Sequence, residues 1–273
     1  MTRAKEVFNV EVRGEGEPPL VLLHGFGASN FSWRFWTDQL AESHALHLIE
    51  LKGFGEASRD PEGGFGPLEQ ARLVESYIEE AGLHRPVLVG HSFGGGVALL
   101  AALSLQDAGR PVGGLILVSA AAYPQAIPIF IRLARIPLLG EAVFSVLPAR
   151  TLMRLALRRV TYRPEQVTDA DIEGHARAFH TLSRRFTMIR AARELLPEGH
   201  EGFVRRFREV DSPTLLLWGE EDPVIPVELG RRLAHELPRS ELVTLPECGH
   251  LPPEERPEES ARAVLRFLEK HEL

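Results

Sequence analysis

Ser92 lies in Gly90-His91-Ser92-Phe93-Gly94, between an uninterrupted apolar run, Pro86-Val87-Leu88-Val89, and a glycine-led helical pattern that continues to Leu103. A serine at a strand-to-helix junction sits on a sharp turn that lifts its hydroxyl clear of the sheet. Gly90 and Gly94 are needed there because side chains would collide with the turned backbone. A bare G-x-S-x-G recurs by chance; the strand–turn–helix setting gives this one its weight. The chemistry it points to is nucleophilic attack by the Ser92 hydroxyl.

A serine hydroxyl is a poor nucleophile at neutral pH and needs a base, and the base needs an orienting acid. Both types follow at strand ends. Thr214–Leu217 reads as a buried strand that runs into Glu220-Glu221-Asp222-Pro223. A parallel sheet places active groups just past the C-terminal ends of its strands. Asp222 is the candidate acid and Glu221 its competitor. Leu242–Leu245 precedes Pro246-Glu247-Cys248-Gly249-His250, and Pro252-Pro253 stiffen the exit. His250 stands out among eleven histidines by this position. The chain order is then Ser92, Asp222, His250.

A fourth part lies early in the chain. Leu20–Leu23 ends in His24-Gly25-Phe26-Gly27. The backbone N–H groups of Phe26 and of Phe93, the residue after the nucleophile, are the candidate oxyanion hole. Each such donor is worth about 3–4 kcal/mol in the transition state. His24 reads as a structural histidine holding this loop, and His91 as a packing residue. Cys248 lacks the turn that a nucleophile requires and reads as a small packing residue.

Together these segments resemble the α/β-hydrolase superfamily, in a serine-nucleophile, carboxylesterase-like subgroup. The resemblance rests on His24–Ser29, Gly90–Gly96, Trp218–Pro226 and Gly249-His250, and on the glycine turn Gly53–Ser58. Family members usually carry an aspartate before that last turn; Glu50 stands here. The resemblance implies an α/β fold, with a mostly parallel central sheet flanked by helices and an inserted helical cap. It also implies a core of residues 1–122 and 208–273, a cap of 123–207, and no cofactor or metal. Relatives with an aspartate at the elbow, the haloalkane dehalogenases and epoxide hydrolases, are disfavoured by Ser92. Relatives that cleave carbon–carbon bonds of meta-ring-fission diketones commonly have a tryptophan after the histidine and an asparagine in the early loop. Leu251 and Arg34 stand at those places. The expected activity is hydrolysis of carboxylic esters with small to medium acyl chains. The alternatives on the same residues are the C–C hydrolase, a cofactor-free perhydrolase or acyltransferase, and, outside enzymes, a hydrolase-like ligand-binding protein.

The elements that position these groups are legible as alternation. Apolar runs at Leu20–Leu23, Ala45–Leu51, Val87–Val89, Leu115–Val118, Thr214–Leu217 and Leu242–Leu245 read as strands. Helical patterns fall at Phe35–Glu42, Leu68–Ala81, Gly95–Leu105, Val227–Leu237 and Pro257–Glu269. A first antiparallel strand, Phe8–Val12, is expected to pair through the Gly14-Glu15-Gly16 turn. Phe31, Trp33, Phe35 and Trp36 either line the pocket or pack the first helix on the sheet.

From about Tyr123 to Phe207 only helical patterns and proline breaks remain. Between Ile131 and Arg208 stand 15 arginines against 8 acidic residues, a local balance of +7 in a chain of net charge -7. The remainder therefore carries −14. Three readings stay open: arginine stems covering apolar helix surface, attraction of an anionic substrate or membrane surface, and apolar faces lining an acyl pocket. With 273 residues and a single cysteine, one domain in a reducing compartment is expected. Met1–Phe8 lacks the apolar core of a secretory signal, no apolar run is long enough to span a bilayer, and the expected location is cytoplasmic. The expected partner is a small-molecule ester, with no nucleic acid and no stable membrane insertion.

Overall fold

The computed structural model describes residues 4–57, 59–60, 62–124, 128–196 and 200–273. Ser58 of the glycine turn, and residues 125–127 and 197–199 of the segment read as a cap, lie outside them. Seven strands form one sheet: β1 (Asn9–Arg13), β2 (Leu20–Leu23), β3 (Leu46–Glu50), β4 (Val87–His91), β5 (Gly114–Val118), β6 (Thr214–Gly219) and β7 (Ser240–Leu245). Their order is β1-β3-β2-β4-β5-β6-β7. All neighbours are parallel except β1, which runs antiparallel to β3.

Strands β2, β4, β5 and β6 are buried at every residue, because helices cover both faces of the sheet. The two-residue period sorts their side chains. Val21, Leu23, Leu88 and Leu117 join one core with the helices Pro67–Ala81, Phe93–Asp107 and Val227–Glu236. Leu20, Leu22, Val87 and Val89 join the other, with the helices Arg34–Ala41 and Pro257–Lys270. Trp33 and Trp36 belong to this second core, where the Trp36 indole N–H donates to Ser260 Oγ at 2.9 Å.

The structure corrects one expectation. β1 does not form a hairpin with the strand that follows it; its partner is β3, with Asn9 opposite Glu50 and Arg13 opposite Leu46. The glycine turn explains why. A Cβ on Gly14 would lie 2.5 Å from Ala41 O and 2.6 Å from His44 O. The turn thus tucks under the end of the first sheet-covering helix, and Ala45 N donates to Gly16 O at 3.2 Å. It carries the chain past β3 to the far side of that strand. The Glu50 carboxylate, standing where an aspartate is usual, accepts from Asn9 Nδ2 at 2.8 Å and Glu56 N at 2.7 Å. It ties β1 to the glycine turn after β3.

Strand order reverses between β2 and β4: from β2 the sheet grows outward through β3, and from β4 it grows the other way. Loops leaving such a switch point diverge and open a crevice at the strands' C-terminal ends. The His24–Gly27 loop and Ser92 both leave the sheet there. Between β5 and β6 the described residues fold as helices, Ile129–Arg135, Leu139–Val146, Ala149–Val160, Asp169–Ala176, Leu182–Arg193 and His200–Arg206. Among the described residues no helix is long and apolar enough to cross a membrane.

The packing at the switch point yields a stability prediction. A Cβ on Gly94 would lie 2.6 Å from His24 O, a backbone atom with no room to yield. Gly94→Ala is expected to cost about 3 kcal/mol or more of unfolding free energy, read as a lowered urea midpoint at unchanged slope.

Candidate active site

Ser92 has φ 51° and ψ −115°, a conformation that few non-glycine residues adopt. Backbone bonds hold it from both sides. Its N–H donates to Val118 O at 2.9 Å, and its carbonyl accepts from Gly95 N, Gly96 N and Ala121 N at 3.0, 3.2 and 2.9 Å. The helix begins at Phe93, two residues earlier than its apolar pattern indicates, so its N-terminus follows Ser92 directly.

The structure brings Ser92, His250 and Asp222 into one hydrogen-bonded line. Ser92 Oγ is 3.0 Å from His250 Nε2, and His250 Nδ1 is 2.8 Å from Asp222 Oδ2. The other Asp222 oxygen accepts from Val224 N at 2.8 Å and Ile225 N at 2.9 Å. An acceptor-only carboxylate at Nδ1 assigns the ring proton to that nitrogen and leaves Nε2 as the acceptor. Burial pushes the Asp222 carboxyl up, but the His250 ring and the two amides outweigh it and hold Asp222 below the usual carboxylate range. Glu221, the competing acid, accepts instead from Cys248 N at 3.1 Å. Burial, with Glu255 and Asp222 nearby, pushes the Cys248 thiol well up, so it stays protonated and inert.

His24 uses both ring nitrogens on the backbone: Nδ1 lies 2.8 Å from Gly25 O, and Nε2 accepts from Leu51 N at 3.1 Å. It holds the early loop against the end of β3. A Cβ on Gly25 would lie 3.3 Å from Ser92 Cβ, so this loop rests directly on the Ser92 turn. Phe26 and Phe93 meet edge to face, ring centroids 6.1 Å apart, and both border the space in front of Ser92.

Beside this line, His91, read from the sequence as a packing residue, and Glu254 and Glu255, which that reading missed, hold the loop of His250. His91 Nε2 donates to the carbonyl of His250 at 2.8 Å, which fixes the backbone of that residue. Glu255 gathers three amides: Tyr162 N at 2.7 Å, Gly249 N at 3.1 Å and Leu251 N at 3.0 Å. It thereby grips the loop on both sides of His250 and joins it to the end of the helix Ala149–Val160. His250 N itself donates to Val160 O at 2.8 Å. Glu254 is bound by Arg34 at 2.7 Å and His175 at 3.0 Å, and Arg34 also binds Asp171 at 2.6 Å. The only signal in the sequence was two carboxylates behind a stiff Pro-Pro turn.

Two chambers meet at Ser92, of about 150 and 140 Å³, each partly open to solvent. The first is walled by Leu99, Leu100, Leu195, Phe203, Val204 and Phe207. The second is walled by Phe144, Leu152, Met153, Phe179 and Met188, together with His91, His175, His250 and Leu251. Phe26, Ile131 and Val224 border both. Phe31, Trp33, Phe35 and Trp36 line neither; Phe31 stacks edge-on against His175 at 5.2 Å.

With fold and site in view, comparison with known proteins places the chain. The sequence profile of the Alpha/beta hydrolase family matches residues 20–263. An uncharacterized hydrolase of Bacillus subtilis (strain 168), YugF, is 30% identical over 266 residues, covering 96% of this chain and 94% of that one. A 2-hydroxy-6-oxononadienedioate/2-hydroxy-6-oxononatrienedioate hydrolase of Burkholderia vietnamiensis is 27% identical over 268 residues, covering 94% and 89%. The solved structure of a thermophilic esterase from Thermogutta terrifontis superposes with a TM-score of 0.81 at 25% identity, covering 97% of this chain and 93% of that one. The chain belongs to the alpha/beta hydrolase family and is a hydrolase.

His91 supplies a pH prediction. Burial, and then the charge of His250, push its pKa down to about 3 from an ordinary 6.5. Between those values the unfolded chain binds the proton and the folded chain does not. Stability is therefore lost as pH falls below about 6.5, by up to about 1.4 kcal/mol per pH unit. Gln in its place retains a donor toward the His250 carbonyl but carries no titratable ring. In His91→Gln the slope of unfolding free energy against pH is expected to flatten over this window, measured by urea denaturation.

Proposed function

We propose that this hydrolase cleaves neutral carboxylic esters through an acyl-enzyme. The observation that carries the reading is the unbroken Ser92–His250–Asp222 line at the junction of two apolar chambers. In the proposed cycle Ser92 Oγ attacks the carbonyl carbon as His250 Nε2 takes its proton. Asp222 keeps the imidazole in the receptive tautomer and stabilises its cation. The N–H groups of Phe26 and Phe93 hold the oxyanion, aided by the positive end of the helix Phe93–Asp107. His250 passes the proton to the departing alcohol, and water, deprotonated by the same ring, releases the acid.

The proton path orients the substrate. The alcohol must leave on the side of the imidazole that protonates it, and His250 borders only the second chamber. The acyl chain therefore occupies the first chamber and the alcohol the second. Their near-equal volumes favour esters with apolar groups on both sides.

Chamber chemistry argues against the carbon–carbon bond reading. The relative of that kind is named for a dioate, which carries two carboxylates. Among the described residues neither chamber is lined by an arginine or lysine. A buried carboxylate without a cation costs several kcal/mol. Leu251 borders the second chamber, while Arg34 is engaged by Asp171 and Glu254.

Hydrolysis of p-nitrophenyl acetate through decanoate tests the reading. The wild type is expected to turn these esters over, and Ser92→Ala and Asp222→Asn to lose about 10⁴-fold or more in kcat. Turnover of a ring-fission diketone but of no ester would overturn the reading. Leu100→Trp should shorten the longest acyl chain accepted and leave the alcohol preference alone, and Met153→Trp should do the reverse.

A further inference from the structure

The helices Ile129–Arg135 and Leu139–Val146 roof the site. Their inward side chains Ile131, Ala134 and Phe144 are buried, and Ile131 and Phe144 border the chambers around Ser92. A surface helix ordinarily turns polar residues outward. Here the outward side carries Ile129, Leu133, Ile136, Leu138, Leu139 and Val146, all exposed. Leu138 is 84% exposed and Val146 80%, so the fold makes almost no use of either side chain. Leu138 is also held at φ 66°, left-handed backbone that a leucine rarely adopts. Strain without an internal return points to a role outside the fold.

Charge identifies what covers this face. Ile129, Arg132, Leu133 and Ile136 share one helical side by their spacing of three and four residues. Arg132 and Arg135 have no carboxylate partner among the described residues. The one acidic residue of the two helices, Glu141, is bound by Arg193 at 2.6 Å. Exposed aliphatic side chains beside unpaired arginines match the chemistry of an anionic lipid surface, acyl chains below and phosphate headgroups above. We propose that this roof docks on anionic lipid surfaces. Ile131 and Phe144, on the inner side of the same two helices, border the chambers, which suits apolar substrates drawn from that surface. Docking itself is independent of the ester reading, because the test below reads binding and not turnover.

The experiment is flotation of the full chain with vesicles of phosphatidylcholine, alone or mixed with phosphatidylglycerol. The wild type should float with the mixed vesicles, less so with phosphatidylcholine alone, and less as salt rises. Arg132→Gln with Arg135→Gln should weaken binding to the mixed vesicles by about 25-fold, roughly fivefold for each arginine. Leu138→Ser with Val146→Ser should abolish flotation at an unchanged thermal midpoint, because neither side chain packs inside. A wild type that stays with the soluble fraction, or variants that float as it does, would overturn the proposal. So would a dimer, seen by sedimentation velocity, that the Leu138 and Val146 substitutions dissociate while no form floats; the acidic body of a second copy would then be the occupant.

Discussion

The site depends on holding one serine in a conformation that serine does not choose. Left-handed backbone of this kind costs of order 1–3 kcal/mol and persists only where the surroundings over-determine it. Ser92 is held by Val118 on the neighbouring strand, by Ala121 on the loop beyond, and by two amides of its own helix. The glycines admit those neighbours: a Cβ on Gly90 would lie 2.6 Å from Gly95 Cα, and one on Gly95 2.5 Å from Ala120 Cβ. Four net backbone hydrogen bonds of about 1 kcal/mol each outweigh the strain. The strained turn is therefore a stable position, fixed in space before any substrate arrives.

Holding the histidine is a different problem, because it comes from a loop. The answer is a cluster of backbone contacts: Val160 O, the His91 ring and the Glu255 carboxylate fix Gly249, His250 and Leu251. Among the described residues Glu255 has no cation partner; burial pushes its carboxyl up, and three amides pull it back only in part. Glu254, its neighbour, is pushed up by burial but held down overall by His175 and Arg34. Val160, Tyr162, Asp171 and His175 belong to the helical segment between β5 and β6, whereas Arg34, Glu254 and Glu255 lie outside it. The loop that carries His250 is therefore tied to the helices Ala149–Val160 and Asp169–Ala176. A shift of the helices Ala149–Val160 or Asp169–Ala176 would be felt at the imidazole.

Legibility in the sequence follows the range of the interactions. The strands and the residues at their C-terminal ends declare themselves within windows of ten residues, through apolar runs, glycines and prolines. The fold class follows from their alternation, and so do the places to look for a nucleophile, an acid and a base. Long-range pairings leave no such trace. Nothing near Asn9 indicates that it lies opposite Glu50 rather than along a hairpin. Nothing near Arg34 indicates Glu254, 220 positions away. The same limit explains the tryptophans: Trp33 and Trp36 follow the early loop closely in sequence, yet the short turn Asn30–Trp33 and the helix Arg34–Ala41 put them in the core on one face of the sheet.

The most direct test of the account is intact-mass and peptide analysis after brief treatment with an alkyl fluorophosphonate. Such a reagent reacts with a hydroxyl only where a base removes its proton and an oxyanion site receives the new charge. One adduct on the peptide bearing Ser92 is expected, lost in His250→Ala while the fold is kept. No adduct, or an adduct on Cys248 or any other residue with Ser92 unmodified, would contradict the claim that this line of three side chains makes Ser92 a nucleophile.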